Sequence, residues 1–151
     1  MASSDPTGYV LVEGYPSVED YLHLRRASGL TPKTAEQASA AIKGSWYGVY
    51  AAEEADPTKA VAMGRIVGDG GWYFFIADMA TLPEHQRRGL GNAILTKLLA
   101  GIKARAPKGT AYVTLGADAP GRKLYAKHGF RDTMPSEMGM GLQIEVAGPK
   151  Q

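Results

Sequence analysis

Apolar residues in this chain recur at every second position in some stretches and at every third or fourth in others, and the switches between the two spacings mark out its elements. Tyr9-Val-Leu-Val-Glu13 is short and β-branched, and predicts a first strand. Ser17-Val-Glu-Asp supplies a helix cap and an acidic first turn. The helix it opens runs through Leu22, Leu24 and Arg26 until Gly29-Leu-Thr-Pro32 interrupts it. A second helix is predicted over Ala35–Lys43, followed by strands over Trp46–Glu53 and Ala60–Val67 joined by a turn at Asp56-Pro57. Gly68-Asp-Gly-Gly71 is a tight turn into Trp72-Tyr-Phe-Phe-Ile76, which continues through Asp78-Met-Ala-Thr81 as a central strand. Its consecutive aromatics read as core on both faces. Leu90, Ala93, Ile94, Leu98 and Ile102 then define a long helix packed by one side, with Lys97, Lys103 and Arg105 on the other. A strand over Ala111–Leu115, a short helix between Asp118 and Gly129, and two closing strands, from Phe130 onward and over Met138–Val146, complete the order. Met1–Thr7 and Ala147–Gln151 read as loose ends.

Composition narrows the chemistry. At 151 residues the chain is near the commonest domain size and predicts one domain over 1–151. It has no cysteine, which removes disulfides, thiolate metal sites and thiol catalysis together. With no N-terminal apolar segment, neither secretion nor membrane anchoring is expected, and the cytoplasm is the expected compartment. A net charge of +2, with both signs interspersed, lacks the electrostatic footprint that nucleic acid requires. His23, His85 and His128 have no partners at metal-ligand spacing, so no metal is expected.

The most informative stretch is Leu82-Pro-Glu-His-Gln-Arg-Arg-Gly-Leu-Gly-Asn92, delivered by a strand and followed by the long helix. Gly89 and Gly91 permit close backbone approach, and the first-turn amides point outward with the positive end of the helix dipole behind them. Arg87 and Arg88 add charge at the same place. A nucleoside-triphosphate loop would need Gly-Lys-Ser/Thr, but Gly91 precedes Asn92 and Ala93. A dinucleotide loop would need a small residue where Ile94 stands. What fits is Gln86-x-x-Gly89-x-Gly91 directly after a strand, which resembles the acyl-coenzyme-A pyrophosphate loop of the Gcn5-related N-acetyltransferase (GNAT) superfamily.

A second segment carries the same resemblance. Asp118 is a good N-cap, Pro120 is tolerated in a first turn, and Gly129 suits a left-handed C-cap. The helix so framed is similar to the superfamily's Asn-x-x-Ala-x-x-x-Tyr-x-x-x-Gly-Phe, with Tyr125, Gly129 and Phe130 on the signature and departures at Asp118 and Gly121. The resemblance extends from about Tyr9 to about Ile144. It implies a GNAT fold of the α/β (α+β) class, a mixed, mostly antiparallel sheet of about seven strands flanked by about four helices. The central strand is also similar to that of glucosamine-phosphate N-acetyltransferases.

The same resemblance implies an acetyl-CoA-dependent N-acetyltransferase. Coenzyme A would be held by Gln86, Arg87, Arg88, Gly89, Leu90, Gly91, Asn92 and Ala93, with Asp118 and Gly121 near it and the pantetheine arm along Ala80, Thr81 and Leu82. An amide near Met79 would stabilise the oxyanion. Tyr125, as a protonated phenol of pKa about 10, would give its proton to a departing thiolate whose parent thiol is near 8.5. Asp78, an acid inside an apolar strand, is either the base or a carboxylate bonded at a bulge. His85 is expected to be solvent-exposed, with a structural role or none. A glycine at position 121 would enlarge the acyl pocket. Leu30, Tyr73 and Asp78 would face the acceptor, along a wall that also carries Arg25, Arg26, Trp46 and Glu137. A primary amine of a small molecule attacking directly in a ternary complex is the leading reading, since nothing is equipped for a covalent intermediate. Protein lysine is one alternative acceptor, and an acyl-CoA-binding sensor without catalysis is another. Exposed terminal strands often pair in this superfamily, so a homodimer is the partnership considered, with neither nucleic acid nor membrane.

Overall fold

The computed structural model describes residues 5–148. Local chemistry sets most element ends. Ser17 Oγ accepts from the Asp20 amide and opens α1 (Val18–Ala27). Thr34 and Gln37 form a reciprocal capping box that opens α2 (Ala35–Lys43). Ahead of α1 lies β1 (Tyr9–Glu13), and after α2 come β2 (Tyr47–Glu53), β3 (Asp56–Gly68) and β4 (Tyr73–Thr81). In the turn before β4, the Asp69 carboxylate accepts from the amides of Gly71, Trp72 and Tyr73, which hold its pKa below the usual carboxylate range. A left-handed Gly89 (φ 83°) opens α3 (Leu90–Arg105), followed by β5 (Tyr112–Thr114) and α4 (Arg122–Lys127).

One five-stranded sheet runs in the order β1-β2-β3-β4-β5, antiparallel except for the parallel β4–β5 pair. Side chains alternate between its faces. A Cβ on Gly64 would meet Ile94 and Leu98 of α3, whereas the neighbouring Arg65 reaches α1's partner Asp78, so α3 and α1 cover opposite faces. Leu90, Ile94, Leu95, Leu98 and Ile102 of α3 are all buried. Each such side chain contributes about 1.5–3 kcal/mol of transfer free energy. Two glycines make the sheet accessible. At Gly101 a Cβ would lie 2.3 Å from the Tyr47 ring, and at Gly48 one would lie 2.2 Å from the Tyr15 ring.

Several expectations need correction. The turn between β2 and β3 falls at Glu54-Ala55, because Asp56 pairs with Glu53 and already belongs to β3. Only Phe74 of the aromatic run is core: Trp72 is 58 % exposed, Tyr73 43 % and Phe75 39 %, since no helix covers that part of the sheet face. Neither closing strand forms among the described residues. Met138, Met140, Leu142, Ile144 and Val146 keep the period-two pattern but face solvent, and Gly139 and Gly141 between them weaken any strand that has no partner. Among the described residues the sheet therefore has five strands rather than seven. Its β5 edge borders a groove of about 1320 Å³ lined by Leu99, Ile102, Val113, Leu115, Tyr125 and Phe130. Asp5 and Pro6 are not loose, as Asp5 accepts from the Leu11 amide and Pro6 from that of Tyr9. The expectations for residues 1–4 and 149–151 lie outside the described residues.

Candidate active site

Parallel pairing between β4 and β5 covers only Tyr73–Phe75 against Tyr112–Thr114. Beyond Phe75, β4 continues to Thr81 while β5 has ended, so the two strands part and leave the outer edge of β4 unpaired there. Divergence at the carboxyl ends of parallel strands is where open α/β sheets take ligands. The start of α3 sits directly after this edge. No side chain caps it and no acidic residue lies in its first turn, so the amides from Gly89 to Asn92, which an α-helix leaves unpaired, are free to hold an anion. Arg87 precedes them in a left-handed conformation (φ 62°). A Cβ at Gly89 would meet nothing, while one at Gly91 would touch Leu124 of α4 at 3.4 Å. Ala93 closes the first helical hydrogen bond to Gly89. These residues fit a coenzyme diphosphate.

Some predicted cofactor residues have other partners. Leu82 is buried and its amide donates to Val61, and Ala80, also buried, shares that register against Met63, so both turn their backbone groups to β3; Thr81 between them turns its own to the open edge, where a pantetheine arm could pair. Gln86 braces the loop instead, its side chain donating to the Thr81 carbonyl at 3.3 Å. Arg88 donates to the Tyr9 hydroxyl at 2.9 Å, which ties the loop to β1 and directs that guanidinium away from the helix start. The same hydroxyl bonds His85 Nδ1 at 2.7 Å, so His85 is partly buried, contrary to the expected exposure.

The second motif closes on the first. Asn92 Oδ1 and His128 Nε2 are 2.8 Å apart, joining the start of α3 to the end of α4, a link with no signal in either motif. Asp118 accepts from the Gly121 amide at 3.0 Å and serves as a cap. At Gly121 a Cβ would lie 2.8 Å from Tyr125 Cε2 and 2.9 Å from Asp118 Oδ1. The space that glycine frees is thus filled by the Tyr125 ring, not left as a larger acyl pocket. Tyr125 packs edge-to-face on Phe130, with centroids 6.0 Å apart. Burial pushes its phenol above the ordinary tyrosine pKa, with the Asp118 charge adding to the effect.

On the other side of the divergence, β4 bulges. Met63 pairs with Ala80 and Arg65 with Ala77, so Asp78 and Met79 together oppose Gly64. Asp78 has φ 55°, and a Cβ on Gly64 would come within 2.5 Å of Met79 Sδ, so the glycine makes room for the bulged side chain. Of the two roles open to Asp78, base or carboxylate bonded at a bulge, the bulge is present, and the carboxylate's partners are side chains. Asp78 Oδ1 accepts from Arg25, and Oδ2 accepts from the Tyr21 hydroxyl and from Arg65 Nε at 2.7 Å. Its side chain is 9 % exposed, and the void beside it measures about 10 Å³. That is the space of one water. Tyr21 and Arg65 escaped the sequence reading, although an arginine inside an apolar strand is the same kind of signal as the aspartate. Of the proposed acceptor wall, Leu30 packs against the core and Tyr73 stands open beside Tyr112, 5.6 Å between centroids.

Among the described residues no group of His, Asp or Glu could hold a metal ion, and no helix is long and apolar enough to cross a membrane. Comparison with known proteins agrees with the geometry. The family model of the acetyltransferase (GNAT) domain matches residues 45–132. A structure from meticillin-resistant Staphylococcus aureus, named a probable acetyltransferase, is similar at 34 % identity and a TM-score of 0.82, covering 90 % of this chain and 99 % of that one. A GNAT family acetyltransferase from Streptococcus pneumoniae shares the fold at 24 % identity and a TM-score of 0.72, over 91 % of this chain and 98 % of that one. A predicted acetyltransferase from Clostridium acetobutylicum, solved with acetyl-CoA, shares the fold at 18 % identity and a TM-score of 0.67, over 88 % and 96 %. No curated protein matches the chain. With the domain matched over residues 45–132 and a 34 % identical structure aligned along 90 % of it, the chain belongs to the GNAT acetyltransferase family.

Proposed function

We propose that the protein moves an acetyl group from acetyl-CoA to a primary amine of a small molecule, by direct attack while both are bound. The observation that carries this reading is the uncapped start of α3 at the point where β4 and β5 part. Amides of Gly89 through Asn92 would hold the diphosphate, and the open edge of β4 at Thr81 would pair with the pantetheine arm. Bound acetyl-CoA supplies an activated thioester. The bulge at Asp78–Met79 releases an amide from the ladder, and the Met79 N–H is the donor for the oxyanion.

The neutral amine attacks the carbonyl carbon, the carbon–sulfur bond breaks, and the Tyr125 hydroxyl gives its proton to the departing thiolate. The raised pKa of that phenol keeps it protonated through neutral pH and ready as the acid. The proton shed by the new amide returns to Tyr125 through solvent, so the cycle balances as acetyl-CoA plus amine to amide plus free thiol. Mixing the protein with acetyl-CoA and a panel of small amines and lysine peptides, then reading free thiol, tests the proposal. Thiol release with a small amine supports it. Release with peptides alone, or binding with no release on any acceptor, refutes it.

A further inference from the structure

We propose that Asp78 is a positioning residue, the hub through which the acceptor-side helices set the backbone of the bulge that faces the acyl group. The inference rests on the acetyl-transfer reading and replaces one of its expected roles, that of general base. Three side chains from two separate elements converge on this one carboxylate. Tyr21 and Arg25 come from α1, four residues apart and so on one face of the helix. Arg25 also grips the loop after α1, with Nε donating to the Thr31 carbonyl at 3.0 Å and Nη2 donating to it at 2.8 Å and to Oγ1 at 3.1 Å. Arg65 comes from β3 and reaches past Asp78 to the end of α2, where Nη1 donates to Ser45 Oγ at 3.1 Å.

The arrangement is poorly suited to proton transfer. Its donors already occupy both carboxylate oxygens, and a void of about 10 Å³ admits no amine. It suits alignment well. Asp78 holds a left-handed backbone conformation that a non-glycine residue keeps only when its surroundings over-determine it, and three side chains from two elements do so here. The next amide along is that of Met79. A shift of α1 or of the Thr31 loop is therefore transmitted to the bulge through side chains that are 9–17 % exposed and closely packed. Burial and then the neighbouring carboxylate raise the Tyr21 phenol, which keeps it a donor across the working pH range. One negative and two positive charges share the cluster, so removing the aspartate outright would leave two buried guanidiniums facing each other.

Tyr21→Phe removes one donor and leaves the three charges in place, which makes it the informative variant; Asp78→Asn is its companion. Four readouts are needed: kcat against pH, KM for the amine, acetyl-CoA affinity by calorimetry, and amide hydrogen exchange. For Tyr21→Phe the expected result is a fall in kcat of about tenfold, the size of effect that a small misplacement of a reacting group produces. Acetyl-CoA affinity should stay within about twofold, a change of less than half a kcal/mol. Exchange should quicken together at residues 77–80 and 28–34, and this readout needs no turnover. Asp78→Asn should lower kcat without changing the shape of its pH profile. Loss of the acidic limb in Asp78→Asn, with Tyr21→Phe silent, would restore Asp78 as the base and overturn the proposal. Wild-type kcat in Tyr21→Phe with exchange altered at only one of the two segments would also overturn it. If Asp78→Asn does not fold, the Tyr21→Phe results decide alone. Absence of thiol release in the wild-type protein with every amine would instead sink the transfer reading and leave the exchange result to judge the hub.

Discussion

Substituting Gly121 by alanine is the sharpest small perturbation of the site. The added Cβ would stand 2.8 Å from Tyr125 Cε2 and 2.9 Å from Asp118 Oδ1. Carbon atoms in favourable contact lie about 3.5–4.0 Å apart, so the ring must retreat by roughly 0.7 Å or more. A displacement of that order in a group that must meet a reacting atom costs about 10- to 100-fold in rate, which corresponds to about 1.4–2.7 kcal/mol in the barrier. Stability should fall by about 1 kcal/mol, the low end of overpacking costs, because no residue of the turn that holds Gly121 is fully buried. Acetyl-CoA affinity should be nearly unchanged, since the amides of α3 are not touched. The assay is thiol release with whichever amine proves the best acceptor, run for Gly121→Ala, Tyr125→Phe and the double variant. If Gly121 acts through Tyr125, the second substitution adds almost nothing to the first. A wild-type kcat in Gly121→Ala, or losses that simply add in the double variant, would refute the reasoning.

Other predictions follow from the same geometry. Tyr125→Phe should lower kcat by about 10²-fold or more, as loss of a general acid does, with acetyl-CoA affinity unchanged by calorimetry. Gly101→Ala should destabilise the fold by about 1–3 kcal/mol in denaturant titration, because its Cβ would lie 2.3 Å from the Tyr47 ring on which Arg105 also stacks, with transfer activity kept below the melting temperature. Tyr21 has a folded pKa above its unfolded value near 10, so its contribution is fully present below that value and is lost as pH rises through the folded one. Melting temperatures of wild type and Tyr21→Phe should therefore converge at strongly alkaline pH; a gap that stays constant from neutral to alkaline pH would contradict this. Asp69→Ala should speed amide exchange at residues 71–73, whose N–H groups it now holds. Its lowered pKa means that this support is present above the ordinary carboxylate range and is lost as pH falls through the folded value.

What could be read from the chain alone followed how local each signal was. The helix cap at Ser17, the left-handed Gly129 and the one-sided apolar spacing of α3 depend on neighbours within one turn, and all appear in the fold. The loop after β4 was legible for the same reason, since a glycine-hinged helix start is a backbone property. Side-chain partnerships across long sequence distances were not. Asp78 stood out as an acid in an apolar strand, but the choice between base and tie depended on Tyr21 and Arg25, more than fifty positions away. Arg88 looked like a loop residue facing a ligand and His85 like an exposed one, whereas Tyr9 of β1 claims both. Met138–Val146 shows the converse limit: a period-two pattern specifies which side chains would share a face, not that a partner strand lies beside them.

The central claim is that the amides opening α3 hold the diphosphate of an acyl-carrier thioester. Calorimetric titration of the purified protein with acetyl-CoA, beside a parallel titration with S-acetylpantetheine, which lacks the diphosphate, tests it most directly. Two charge-assisted hydrogen bonds at about 1.5 kcal/mol each amount to roughly 100-fold in affinity. The account predicts saturable one-site binding of acetyl-CoA, and binding of the truncated thioester weaker by at least about that factor. No saturable heat with acetyl-CoA, or equal affinity for the two, would contradict it.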